Sequence, residues 1–113
     1  MSRDHRLFLD DIAGACRKII RYSSGRSRDA VFVDELRLDA ILLNFLVIGE
    51  AVKNLPNTFR QEHEEIPWRE IAGLRDFVAH AYFALDLDIV WSAIEVEIPR
   101  LLEKVEQIAE QSE

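Results

Sequence analysis

Four polar side chains crowd into the segment Arg75-Asp76-Phe77-Val78-Ala79-His80-Ala81-Tyr82: a guanidinium, a carboxylate, an imidazole and a phenol. Their neighbours are apolar, with Ile71, Leu74, Phe77, Val78 and Phe83 around them. Polar groups among core-type residues are costly unless partnered, so their use needs an account. The residue types suit chemistry on a phosphodiester. Arginine binds a phosphate bidentately and stabilises charge developing on it. Histidine takes a proton from a ribose 2′-hydroxyl or gives one to a leaving 5′-oxygen. RNA carries that hydroxyl as an internal nucleophile, so the chemistry requires no metal. The sequence holds no carboxylate cluster or Cys/His set with metal-ligand spacing.

Helix geometry limits how these groups meet. On a regular helix Arg75 shares a stripe with Trp68, Ala72, Ala79 and Tyr82, and the small alanines leave it between low shoulders. His80 comes five residues later, about 140° round the helix. Arg75 and His80 therefore diverge unless arginine reach, a local bulge or a second copy of the motif brings them together. Asp76 and His80 stand at i, i+4, a spacing at which Asp76 can hold one imidazole N–H and set the tautomer. Each residue also has a plain reading: a structural histidine, a salt-bridged arginine, a packing tyrosine. The residues by themselves leave both readings open.

The rest of the chain reads as the scaffold. Residues 4–22 have helical periodicity through Phe8, Ile12, Cys16 and Ile19, stopped by Ser23-Ser24-Gly25. Ser27 can cap a turn or two reaching Phe32. Asp34 is an N-cap for a long helix over 35–55. That helix is apolar nearly all round: Leu38, Ile41, Leu42, Phe45, Ile48, Val52 and Leu55 on one stripe, Leu43, Leu46, Val47 and Ala51 on another. It must be central, or covered by a second subunit. Gly49 inside it costs about 1 kcal/mol against alanine, which a close helix crossing would offset. Glu50 is read as a helix-edge carboxylate or a buried partner for a cation such as Arg75. Pro56 ends the helix, residues 57–66 form a connecting turn, and Pro67 opens a helix from Trp68 to about Tyr82. Asp86 caps a last helix over 87–110, where Pro99 should cause a kink. No alternation marks a strand. The prediction is an all-α, antiparallel bundle of four to five helices.

At 113 residues the chain is one domain, 1–113, with 49% apolar and 31% charged residues. No apolar run is long enough to span a membrane, no h-region stands behind the N-terminus, and the lone Cys16 cannot form an internal disulfide. A cytoplasmic protein is expected. The net charge of −7 argues against indiscriminate nucleic-acid binding. The charge is uneven: residues 1–30 carry seven basic and four acidic side chains, residues 84–113 two basic and eight acidic. Two solvated helix faces explain this, or a basic segment lying near a polyanion.

Arg75, His80 and Tyr82 match in register the R-x-x-x-x-H-x-Y motif of the HepT-like toxins of the HEPN superfamily, and the chain resembles that family over nearly its whole length. Ile48-Gly49-Glu50-Ala51-Val52-Lys53 resembles the family's glycine–glutamate helix. Ile66 to Asp76 resembles its lead-in to the motif, and Tyr82-Phe83 with Asp86 to Trp91 resembles its continuation beyond the motif. The resemblance implies a dimeric helical bundle with two motifs at a shared cleft. It implies a metal-independent endoribonuclease without cofactor, the toxin of a type VII toxin–antitoxin pair. Arg75 and His80 would be catalytic, with Asp76 and Glu50 supporting. The antitoxin would be an MntA-like minimal nucleotidyltransferase that uses ATP to adenylylate Tyr82. AMP beside Arg75 and His80 would add bulk and negative charge and repel RNA. Many HEPN ribonucleases carry asparagine where this chain has Asp76. The alternative is a non-catalytic nucleotide-binding or assembly subunit of a nucleotidyltransferase complex.

Overall fold

The computed structural model describes residues 3–81 and 84–111, and all regular elements among them are helical. They are α1 (Arg3–Ser23), α2 (Arg28–Val33), α3 (Glu35–Asn54), α4 (Asn57–Glu62), α5 (Trp68–Ala81), α6 (Leu87–Ser92), a π-helical segment (Ala93–Glu97) and α7 (Ile98–Gln111). The expected Tyr82 end of α5 lies outside the described residues.

The boundaries arise from local chemistry. Gly25 takes φ +71°, the left-handed conformation that lets the chain leave α1. Ser27 Oγ accepts from the Ala30 N–H at 3.2 Å and starts α2. Asp34 Oδ1 accepts from the Arg37 N–H at 3.2 Å and starts α3. Arg37 Nη1 also donates to the Tyr22 carbonyl at 2.7 Å, tying the end of α1 to the start of α3. Asp86 accepts from the Asp88 and Ile89 N–H groups at the start of α6.

α3 lies against both α1 and α5, and α7 packs on α1. The core is built from Leu9, Ile12, Cys16 and Ile19 of α1, Ile41, Phe45, Ile48 and Val52 of α3, and Ile98, Leu101, Val105 and Ile108 of α7. One expectation needs correction. The last helix is not continuous with a simple proline kink. It widens into the π segment immediately before Pro99, and the Ile98 N–H reaches the Ala93 carbonyl. A proline in α7 lacks an N–H and crowds the carbonyl four residues back; a π turn there loosens that crowding. Two bases of the N-terminal segment pair with the acidic C-terminal stretch. Arg17 pairs with Glu106 at 3.1 Å, and Arg28 pairs with Asp88.

α3 is central, as its composition requires, yet one stripe of it faces out. Leu36 is 85% exposed, and Leu43 and Val47 are also exposed. With Glu50 they repeat at helical spacing along one face.

Candidate active site

α5 carries Arg75, Asp76 and His80, and four features seat it. The Pro67 carbonyl accepts from the Ile71 N–H at 3.0 Å, closing the first turn. The Trp68 indole Nε1 donates to the Arg60 carbonyl at 3.2 Å and the His63 carbonyl at 3.0 Å, locking α4 to the start of α5. Ile71 and Val78 are buried towards the core.

The fourth feature is Gly49. A Cβ built on it would overlap Arg75 Cβ, and would lie 3.2 Å from the Arg75 nitrogen and 3.3 Å from the Ala72 carbonyl oxygen. The absence of a side chain at Gly49 is what lets α3 and α5 approach this closely. The close crossing expected from the sequence falls on the motif arginine itself.

Arg75 emerges from that crossing half-buried. Its Nε lies 3.1 Å from Glu50 Oε2, and its Nη1 lies 3.1 Å from Asp76 Oδ1. The same Asp76 oxygen accepts from Lys53 Nζ at 3.2 Å. The result is a surface chain of alternating charge: Glu50, Arg75, Asp76, Lys53. Hydrogen bonds from Lys53 and then Arg75 hold the Asp76 carboxyl below its ordinary range, so it is ionised at neutral pH. Exposed pairs of this kind contribute about 0–1 kcal/mol each. An arriving phosphate can therefore displace them at small cost.

Glu50 does pair with Arg75, but its side chain is 61% exposed, so the buried partnership considered from the sequence is corrected to a surface one. A buried carboxylate would have demanded full desolvation, which the rim of the α3–α5 crossing avoids. Asp76 does not hold His80. Its carboxylate turns to Lys53 and Arg75, whose cations reach it first. His80 stands exposed in the last turn of α5, with no hydrogen bond or ion pair to another described residue. α5 is a regular α-helix through Ala81, without a bulge. One of the three ways to bring Arg75 and His80 together is thereby removed. Tyr82 lies outside the described residues.

Lys53 went unassigned from the sequence. Its signal was present: it stands four residues after Gly49, hence one turn further along the face that crosses α5. No group of three His, Cys, Asp or Glu side chains gathers to hold a metal ion among the described residues, and no described helix is long and apolar enough to cross a membrane.

This arrangement, a presented arginine with a histidine five residues on, sits in a chain whose relatives are informative. The family model described as "Ribonuclease HepT-like" matches residues 12–108. The chain belongs to the HepT-like ribonuclease family. It is 38% identical over 108 residues to a protein of Thermococcus cleftensis named "Probable ribonuclease HepT", covering 96% of this chain and 98% of that one. It is 40% identical over 103 residues to a "Putative RNase" of Caldanaerobacter subterraneus subsp. tengcongensis, covering 91% and 92%. A Methanocaldococcus jannaschii protein named "Gamma-glutamylcyclotransferase and putative RNase" is 34% identical over 111 residues. That match takes 98% of this chain but only 50% of the relative, so this chain spans half of that protein's length. No solved structure matches.

Proposed function

We propose that this HepT-like chain is a metal-independent RNA endonuclease, with Arg75 and His80 as its catalytic pair. The observation that carries the reading is the way α3 delivers Arg75 to the surface at Gly49, with the R-x-x-x-x-H-x-Y register intact behind it. The Arg75 guanidinium binds the scissile phosphate in place of its carboxylate partners and stabilises the charge that builds on the non-bridging oxygens. The ribose 2′-oxygen attacks the adjacent phosphorus, and the bond to the 5′-oxygen breaks. Imidazoles at the site take the 2′ proton and supply one to the leaving oxygen. The products are a 2′,3′-cyclic phosphate and a 5′-hydroxyl.

Because α5 is regular, one protomer points Arg75 and His80 in different directions. The working site is then shared by two copies, joined over the outward apolar stripe of α3. That stripe ends at Glu50, the partner of Arg75, so the motif falls at the edge of such an interface.

The same reading makes the protein a cytoplasmic toxin whose antitoxin is a minimal nucleotidyltransferase. The Tyr82 phenol oxygen attacks the α-phosphorus of ATP on the partner, pyrophosphate leaves, and the resulting AMP-tyrosine repels RNA. Family membership and the motif tyrosine support this. The test is cleavage of single-stranded RNA by AMP-free protein. Wild type should cleave, while Arg75→Ala and His80→Ala should fold and fail. Equal cleavage by His80→Ala would remove the assignment.

A further inference from the structure

Alongside the motif, α4 and the end of α3 wall an open groove of about 610 Å³ over the N-terminal half of α5. Three cations face it: Lys53, Arg60 and Arg69. Among the described residues neither Arg60 nor Arg69 pairs with a carboxylate; Arg60 Nη2 donates to Asn57 Oδ1, and its Nε is enclosed without a hydrogen-bond partner. Two carboxylates also line it, Glu64 and Asp76, but Asp76 is occupied by Lys53 and Arg75. Lys53 is held by Asp76, so in a chain of net charge −7 the two arginines are the groove's positive charge without a carboxylate partner.

The groove is continuous with the motif. Arg69, Gly73 and Asp76 step along one face of α5, and Arg69 lies about 10 Å along the axis from Asp76. Asp76 closes the groove at one end and bonds Arg75 at the other side. Between the cations, Ala72 and Gly73 leave a low floor, and a Cβ on Gly73 would meet nothing within 4 Å. The side-chain amides of Asn57 and Gln61 line the α4 wall. Cations spaced along a backbone path, beside a flat floor and hydrogen-bonding amides, suit a single strand of nucleic acid. The groove beside α7 makes the contrast: Glu103, Glu106 and Glu110 line it without a cation.

The geometry points to the α4–α5 groove as a binding subsite for the RNA strand flanking the phosphate held at Arg75. Arg60 and Arg69 take neighbouring phosphates, and the Ala72–Gly73 floor takes a ribose or base. The inference rests on the ribonuclease reading for its ligand, and on the groove's charge and shape for its location.

Binding and cleavage must be read separately. Fluorescence anisotropy with a 2′-O-methyl single-stranded oligonucleotide, which lacks the nucleophile, reports binding alone across a salt series. Arg69→Gln and the pair Arg60→Gln/Arg69→Gln should weaken binding several-fold. Removing one arginine–phosphate pairing should flatten the log–log salt dependence by about 0.7. Gly73→Leu raises the floor from a position whose Cβ meets no neighbour, so it should fold and weaken binding without changing the salt slope. On cleavable RNA these variants should raise KM and leave kcat close to wild type, with a dinucleotide substrate unaffected. Unchanged affinity and slope in all the variants overturns the subsite, even if they lose a protein partner instead. Groove-dependent binding by a protein that cleaves no RNA would keep the subsite and remove the ribonuclease.

Discussion

Gly49 on α3 backs directly onto Arg75 on α5, leaving no room for a methyl group between the two helices. The glycine lowers helix propensity, yet it sets how far the motif arginine stands from the core. It also brings Glu50 and Lys53, its helix neighbours, within reach of Arg75 and Asp76.

Gly49→Ala should therefore harm both fold and site. The atoms it meets are the root of a side chain and backbone, which cannot swing aside. Overpacking of this kind costs about 1–3 kcal/mol, against about 1 kcal/mol gained in helix propensity. A net loss of up to roughly 2 kcal/mol in denaturant titration is expected, together with reduced cleavage by the fraction that stays folded.

Asp76→Asn should bind RNA more tightly. The carboxylate is ionised beside the phosphate-binding arginine, and its removal lifts a like-charge repulsion on the arriving phosphate, so affinity should rise several-fold. The ion-pair network has a defined pH window. The folded carboxyl lies below its ordinary value, so its contribution is present above about pH 3.9 and is lost as pH falls through the lower folded value. Affinity measured at neutral pH on wild type and variant decides the first point.

The outward stripe of α3 predicts self-association. Leu43→Glu puts a charge in the middle of that face without touching the core. Sedimentation should show the wild type as a dimer and the variant as a monomer with unchanged helical circular dichroism. Cleavage should fall with the dimer, because each site draws on two copies.

Cys16 should be chemically silent. Burial pushes its thiol up to about 12, so almost no thiolate exists at neutral pH. Thiol reagents should leave the native protein unmodified at pH 8 and react stoichiometrically once it is unfolded.

The features legible in the sequence were the local ones. Ser27, Asp34 and Asp86 cap their helices as expected because a cap needs only the residue and the next three N–H groups. Gly49 signalled a crossing, since an unexplained glycine in an apolar helix asks for one. The crossing partner was not legible, because that depends on how α3 and α5 pack. For the same reason the sequence leaves Glu50 open between a helix-edge carboxylate and a buried partner of Arg75, where the structure makes it a surface partner, and it offers Asp76 to His80 although Lys53, from another helix, has the stronger claim. The groove of Arg60 and Arg69 was invisible for its lack of any motif. The π segment before Pro99 was foreseen only as a kink.

The central claim is that Arg75 and His80 cleave RNA through its own 2′-hydroxyl. The direct measurement is the end chemistry of the products from AMP-free protein in EDTA, with a substrate carrying a single ribonucleotide in a DNA strand. The account predicts one cut, 3′ to that ribonucleotide, leaving a 2′,3′-cyclic phosphate and a 5′-hydroxyl, with rates reduced about 10²- to 10⁴-fold in His80→Ala. Cleavage of the all-DNA strand at the same rate, 5′-phosphate ends, or loss of cleavage in EDTA restored by a divalent cation would contradict it.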